Sequence, residues 1–478
     1  MGRNVTLNMN PPSVEVLARQ LAETQAALNL VWTLIAAFLV MFMQAGFALL
    51  ESGLTRAKSV AHTMGMNFLV YAIASLGYWA AGFALQMGGV AVPASLGPST
   101  HLPREFSVTI AGHAFGVFGA EGFFLGTQSL TPALAALFIF QLVFMATAST
   151  IPTGAMTERW RFSSFCLFTL IMSTLIYPLY ANWVWGGGWL SQLGTSFGLG
   201  HGHVDFAGSS VVHMTGGVTA LVGAKMLGPR LGKYTPSGVP TAIPGHSISL
   251  TVLGTFVLAF GWFGFNAGST LAGTDTRIAV VALNTLLASA AGAVSGTLYV
   301  WKRFGRPDVT WMCNGMLAGL VAITAPCAFV STPFALVIGG VAGLLVVRAA
   351  MFVEETLKVD DPVGAIAVHG ANGAWGILAL GLFADGSYGD GLNGVAGGVR
   401  GILYGDTGQF WASVSGIAAN FVFVGTVASI SFFILDRLVK NRVSSDTERR
   451  GLDLPEMGIE GYSPEYRGVV ATQVARDR

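Results

Sequence analysis

The chain has 478 residues, of which 53% are hydrophobic and only 10% charged, and its formal net charge is +1. With a mean hydropathy of +0.63, this composition excludes a string of soluble domains and describes an integral membrane protein. The balanced charge gives no reason to expect a nucleic-acid partner, and the 63 glycines, near twice the usual share of about 7%, predict closely packed membrane helices.

Residues 1–26 lack the basic-then-apolar pattern of a cleavable signal and are expected to form a leader, whose 14–28 stretch reads as a short amphipathic helix or a frayed segment. A bilayer crossing takes about 20 mostly apolar residues. Eleven stretches qualify: 27–50, 67–88, 131–152, 163–184, 207–228, 246–266, 278–300, 311–330, 333–354, 363–384 and 409–436. The fold class is therefore an all-α integral membrane domain over 27–436, with eleven transmembrane helices. Long loops, 88–128 with Gly and Pro and 385–408 with Gly, join some of them. The tail, 437–478, is expected to be polar and solvated from Val443 onward. Cys166, Cys313 and Cys327 fall in or beside apolar spans and read as isolated thiols; no metal or cofactor is expected.

Basic residues set the orientation. Twelve, from Arg56 to Lys358, lie in the loops that follow the odd-numbered spans one to nine or at the loop-side ends of those spans, against five on the other side: Arg3, Arg19, Arg104, Arg277 and Arg400. This puts the N-terminus outside and the tail in the cytoplasm of a cell-membrane protein.

Two stretches share a grammar. DFAGSSVVHMTGG, Asp205 to Gly217, and DPVGAIAVHGANG, Asp361 to Gly373, each place a histidine eight residues after the aspartate and a glycine four residues later. His213 closes the first five spans and His369 the next five, so the halves form an inverted repeat, an arrangement transporters use to build a site near the midplane. Ionisable groups at membrane depth are costly and mark function. Buried neutral imidazoles each have one donor and one acceptor nitrogen, so two facing rings can relay protons or hydrogen-bond a small neutral solute. Bis-histidine haem ligation is a third use, opposed by the single histidine on each helix. Asp205 stands at the positive end of its helix, where it caps and also lowers the potential at the outer mouth; Asp360 and Asp361 are expected to cap span ten.

Aromatic side chains gather at the outer ends of three spans: Phe140, Gln141 and Phe144 in FQLVF, Trp185 just outside span four in WGGGWL, and Trp262, Phe265 and Ser269 in WFGFNAGS. Their ring faces attract a cation with about 2 kcal/mol each when desolvated. Stripping an ammonium-sized ion of water costs on the order of 20 kcal/mol in the ideal limit, and several after relaxation. Such a cage recruits a cation but cannot carry it through an apolar lumen, and no ring of carboxylates or carbonyl filter takes over. What crosses the middle should be neutral.

These motifs, with DDPVGAIAVHG and the tail sequence GLDLPEMGIEGY, resemble the ammonium transporter (Amt/Mep/Rh) family on its bacterial side, from about Leu28 to Tyr462. The resemblance implies an eleven-helix protomer with two inverted five-helix repeats plus one extra helix, a homotrimer, and a pore in each subunit. By position, Phe140, Trp185 and Ser269 correspond to the outer recruitment site, Phe144 and Phe265 to a phenyl gate, and His213 and His369 to the twin histidines of the pore. Asp205, Gln141 and Trp262 are supporting positions. Ammonium or ammonia, methylammonium included, is the implied substrate, membrane lipid the surroundings, and a PII-type protein the cytoplasmic regulator. Two positions depart from some relatives: Gly364 stands where they carry an acidic residue five before the second histidine, and Pro455 and Met457 stand where plant relatives have Thr and His. A sensor with little flux is the competing function; the chain ends at Arg478 without a kinase or cyclase domain, which weighs against it.

Overall fold

Without water to satisfy the backbone, apolar runs of this length must be helical or close into a barrel. The computed structural model describes residues 13–97, 104–110, 112–126 and 130–462, and there the runs are helices. They are α1 (Val14–Leu54), α2 (Ala57–Met87), α3 (Pro132–Met156) and α4 (Phe162–Trp185). Next come α5 (Ser209–Met214 continuing as Thr215–Leu227), α6 (Ile248–Ala267), α7 (Arg277–Phe304) and α8 (Val309–Ile323). The last three are α9 (Thr332–Thr356), α10 (Ile366–Phe383) and α11 (Thr407–Leu438). Among the described residues, nine helices are long and apolar enough to cross a membrane; α8 is a shorter apolar helix, and α5 carries Ser209, Ser210 and His213. The chain is a multi-pass membrane protein.

Four expectations need correction, three of them about whole segments. The 14–28 stretch is not a separate leader helix: α1 is one helix of 41 residues, started by Ser13, whose hydroxyl accepts from Val16 N. Residues 1–12 lie outside the described residues. Nor is the chain all-α. The loop after α2 forms an antiparallel pair, β1 (Glu105–Ile110) and β2 (His113–Gly119), because EFSVTI and HAFGVFG are rich in β-branched and aromatic residues and Gly112 supplies a φ of 85° at the turn. Phe106 and Phe118 stack across the pair at 4.8 Å, and Trp183 Nε1 donates to Val117 O at 2.9 Å, which ties the hairpin to the end of α4.

The third correction concerns the tail, whose described part, through Tyr462, packs against the body instead of being solvated. Its short helix α12 (Ser445–Arg450) receives Lys58 Nζ on the Glu448 and Arg449 carbonyls, both at 2.7 Å. Asp453 Oδ1 accepts from His62 N at 3.0 Å and Glu456 Oε2 from Phe162 N at 2.9 Å. Phe162 opens α4, and His62 lies in the first turn of the α-helical part of α2, which begins at Val60 after a tighter turn over Ala57–Ser59. Amides in a first turn lack an intrahelical acceptor, so the tail carboxylates cap both turns.

Beside the tail lies a buried ion cluster. Arg230 donates to Asp360 Oδ2 from Nε (2.8 Å), to Oδ1 from Nη2 (3.0 Å) and to Glu158 Oε1 from Nη1 (2.8 Å), and Arg56 pairs with the other oxygen of Glu158. Asp360 is thus an ion-pair partner, not a helix cap; Asp361 alone caps α10. Burial would raise the Asp360 carboxyl, but Arg230 and Arg159 outweigh it and hold it at about 2, below its ordinary 3.8. A depressed folded value stabilises above the unfolded one, so this contribution is whole above 3.8 and is lost as pH falls through about 2. Arg230→Gln leaves Asp360 buried without its main partner and should cost about 3–5 kcal/mol. In thermal unfolding at stepped pH, the wild type should lose stability through that window more steeply than the variant; equal slopes would show that the pair does not set the acid limit.

Candidate functional site

In both Asp-to-His stretches the aspartate folds back onto the chain that follows it. Asp205 Oδ1 accepts from Gly208 N and Ser209 N, both at 2.9 Å. Its Oδ2 accepts from Ser210 N (2.7 Å), the Ser210 hydroxyl (2.7 Å) and Val211 N (3.0 Å). Asp361 Oδ1 accepts from Gly364 N at 3.0 Å and Oδ2 from Ile366 N at 2.7 Å. The backbone doubles under each carboxylate at a left-handed residue, Gly208 (φ 115°) or Gly364 (φ 82°). Only glycine takes that conformation cheaply, so Gly364 is the structural match of Gly208, each five residues before its histidine.

Each doubled-back turn leads into a wide π-wound turn, Ser209–Met214 and Ile366–Ala371, which carries the histidine. A third such turn, Phe263–Ala267, carries Phe265. Such turns recur at functional sites, but four others among the described residues, Tyr78–Gly82, Met172–Ile176, Phe352–Thr356 and Asp453–Met457, carry neither histidine nor a stacked ring of this site. His213 and His369 meet, with ring centroids 5.2 Å apart and Nδ1 to Nδ1 at 3.2 Å, so one nitrogen donates while the other accepts. That contact leaves no room for a haem between them. The glycines four residues on make the contact feasible: a Cβ on Gly217 would lie 2.2 Å from Gly370 N, and one on Gly373 2.5 Å from Ser209 O.

The aromatic residues stack above the pair, towards the face that carries β1 and β2. Phe265 lies 5.3 Å from the His213 ring, Phe144 stacks on Phe265 at 4.1 Å, and Phe140 lies 4.6 Å from Phe144. Trp185, the last residue of α4 rather than a residue beyond it, meets Phe144 edge-on at 6.0 Å. These rings close the floor of a cavity of about 390 Å³ lined by Phe140, Gln141, Phe144, Trp185, Asp205 and Ser269. Trp185 Nε1 donates to the Asp205 carbonyl at 2.7 Å. The Ser269 hydroxyl donates to Phe265 O at 2.8 Å, which leaves its lone pairs to accept. Gln141 Oε1 accepts from Gln86 Nε2 at 2.9 Å. Trp262 packs 5.1 Å from His213 and donates to Thr324 Oγ1 at 2.9 Å. Asp205 reaches the cavity wall, yet both its oxygens are engaged by the chain.

Below His369 the space narrows. A cavity of about 10 Å³ is lined by Phe47, Glu51, Asn314, Val363 and His369. Asn314 and Val363 also line a cavity of about 160 Å³ with Arg230, Glu354 and Asp361, at the face that carries the tail. Cavity, ring stack, histidine pair, constriction and second cavity therefore follow one another through the bundle. The sequence reading missed Glu51, because the apolar window of the first span closed at Leu50; the helix continues to Leu54, and a buried acid there meets the same criterion that singled out the histidines.

The Ammonium Transporter Family profile matches residues 31–462. The chain belongs to the ammonium transporter family. It is 44% identical to the ammonium transporter Amt2 of Archaeoglobus fulgidus over 460 residues, 96% of this chain and 92% of that one. It is 35% identical to the ammonium transporter of Bacillus subtilis over 434 residues, 90% of this chain and 98% of that one. Among solved structures, one titled "Sensor Amt Protein" superposes with a TM-score of 0.79 at 34% identity, covering 91% of this chain and 99% of that one. Candida albicans Mep2 does so with 0.73 at 29%, covering 91% of each. Ammonium transporters form a membrane transport family, not an enzyme family, and ammonium is the substrate the family supports for this chain.

Proposed function

We propose that the chain takes NH4+ into the cavity lined by Phe140, Trp185 and Ser269, deprotonates it near the Phe144–Phe265 stack, and passes NH3 along His213 and His369. The observation that carries this reading is the ring stack sealed directly onto a buried histidine pair. Rings attract a cation but repay only part of its hydration, about 2 kcal/mol each against several for the ion, whereas ammonia and a proton cross separately at lower cost. Orientation follows the basic residues: the β1–β2 face is outside and the tail cytoplasmic, with eleven crossings arranged as two inverted halves and one further helix. The family resemblance extends the proposal to a homotrimer in the cell membrane and a PII-type cytoplasmic partner.

K+ has no proton to release and no N–H to donate. Proteoliposomes holding the full chain are expected to take up ammonium and methylammonium with no K+ flux above empty vesicles. K+ moving as readily as ammonium would falsify the mechanism. A second reading, an ammonium sensor with little flux, is favoured by the similarity to the structure titled a sensor; tight ammonium binding without uptake or current would select it.

A further inference from the structure

Glu51 is a buried carboxyl at the constriction below His369 to which the transport reading gives no task. It lies in α1 at 1% exposure, and no cationic side chain pairs with it among the described residues. An acid at such depth is costly and marks function. It shares the constriction with His369 and Asn314, and Asn314 continues into the cavity at the tail face.

Its hydrogen bonds accommodate two proton states at one geometry. Oε2 accepts from Asn67 Nδ2 at 2.7 Å. Thr153 Oγ1 lies 2.7 Å from Oε2, 3.0 Å from Oε1 and 2.6 Å from Thr150 O. A hydroxyl has one hydrogen and two lone pairs, and the Thr150 carbonyl can only accept. When the Thr153 hydrogen serves Thr150, the short Glu51–Thr153 contact needs a proton on Glu51. When the hydroxyl turns to Glu51, an ionised carboxylate is satisfied. Rotation of one hydroxyl therefore serves both states without moving a heavy atom.

We infer that Glu51 receives the proton that leaves His369 and releases it to water in the tail-face cavity. This deepens the transport reading above and rests on it. The N–H bond of a protonated His369 breaks and an O–H bond forms on Glu51, giving neutral imidazole and a carboxylic acid. That O–H then breaks, a water molecule becomes hydronium, and the carboxylate is restored, with no change of oxidation state. Ammonia crosses the lumen as a separate species.

The competing role for Glu51 is a polar bolt that joins α1 to Asn67 of α2 and Thr153 of α3. Two substitutions separate the roles. Glu51→Gln keeps the length and the hydrogen bonding but cannot titrate; Glu51→Asp titrates but loses reach. A bolt predicts that Gln is the milder change, and a proton acceptor predicts that Asp is. Ammonium-evoked current should be recorded by solid-supported-membrane electrophysiology on proteoliposomes of the full chain, from about pH 5 to pH 8, where histidine charge changes. Uptake and melting temperature should be followed in parallel. His369 and Asp361 are the other titratable groups that face Glu51, so the comparison is between pH profiles of variants, not a single profile.

We expect Glu51→Gln to lose about tenfold or more of the current, with a flattened pH profile and an unchanged melting temperature, and Glu51→Asp to retain more current than Gln. Wild-type current in Glu51→Gln, or current in both variants that tracks the melting temperature, overturns the inference and leaves the transport reading intact. Should the Gln variant not fold, Thr153→Val replaces it: removal of the rotating hydroxyl should cut the current, and wild-type current there is equally decisive against the inference. Wild-type uptake without current removes the proton route and the inference with it, whereas no uptake by the wild type removes the transport reading itself.

Discussion

Asp205→Ala is expected to leave little folded protein in the membrane. The carboxylate satisfies four backbone amides and the Ser210 hydroxyl at a position 4% exposed. Alanine leaves those donors facing a protein interior, at about 1–3 kcal/mol for each unpaired group. Even if water or relaxation recovers half of them, the loss is on the order of 5 kcal/mol, a size reached only by mutations that empty a buried polar network. Size-exclusion profiles and melting curves of the solubilised protein read this directly. Asp205→Asn is the informative companion, because its amide nitrogen cannot accept from the amides that one carboxylate oxygen now serves, while its remaining oxygen can. It should melt between the wild type and Ala. If Asn melted like the wild type yet lost transport, Asp205 would act through its charge at the mouth, and capping would be the lesser role.

The same aspartate shows how much the sequence revealed. Asp205, His213 and their copies at Asp361 and His369 stood out because ionisable residues are rare in apolar runs, and the equal spacing marked a duplication. The matched stretches favoured contact between the rings but did not fix it: it depends on the tilt of two helices, which the close approach of Gly217 to Gly370 determines. Phe140, Trp185 and Ser269 are far apart in the chain; their shared place at the outer ends of three spans pointed to a cage, and the family resemblance narrowed it to these three before the cavity brought them together. Glu51 was excluded by a window drawn one residue short. The hairpin and the docked tail were missed for a different reason. Asp453 and Glu456 bind backbone amides of His62 and Phe162, and a sequence does not reveal which distant helix start will lack an acceptor. Asp360 and Asp361 are adjacent, yet one pairs with Arg230 and the other caps α10, a division that hydropathy cannot make.

Gly217→Ala is expected to abolish most transport while keeping both histidine side chains. The added Cβ would lie 2.2 Å from Gly370 N and 2.4 Å from Gly370 Cα. Both are backbone atoms, so no side chain can rotate away. Restoring an ordinary contact requires α5 and the turn bearing His369 to separate by about 1 Å, at an overpacking cost of about 1–3 kcal/mol. That is a survivable loss of stability, so the variant should still purify as a folded protein. The Nδ1–Nδ1 contact at 3.2 Å would stretch past hydrogen-bond range. A misplacement of this size between reacting groups costs about 100-fold in rate, and the same reduction is expected in ammonium-evoked current. His213→Ala provides the control, since it removes a ring but keeps the helix crossing. If adjacency of the imidazoles is what matters, the two variants should fail alike in current; if the histidines act independently, Gly217→Ala should conduct far better than His213→Ala.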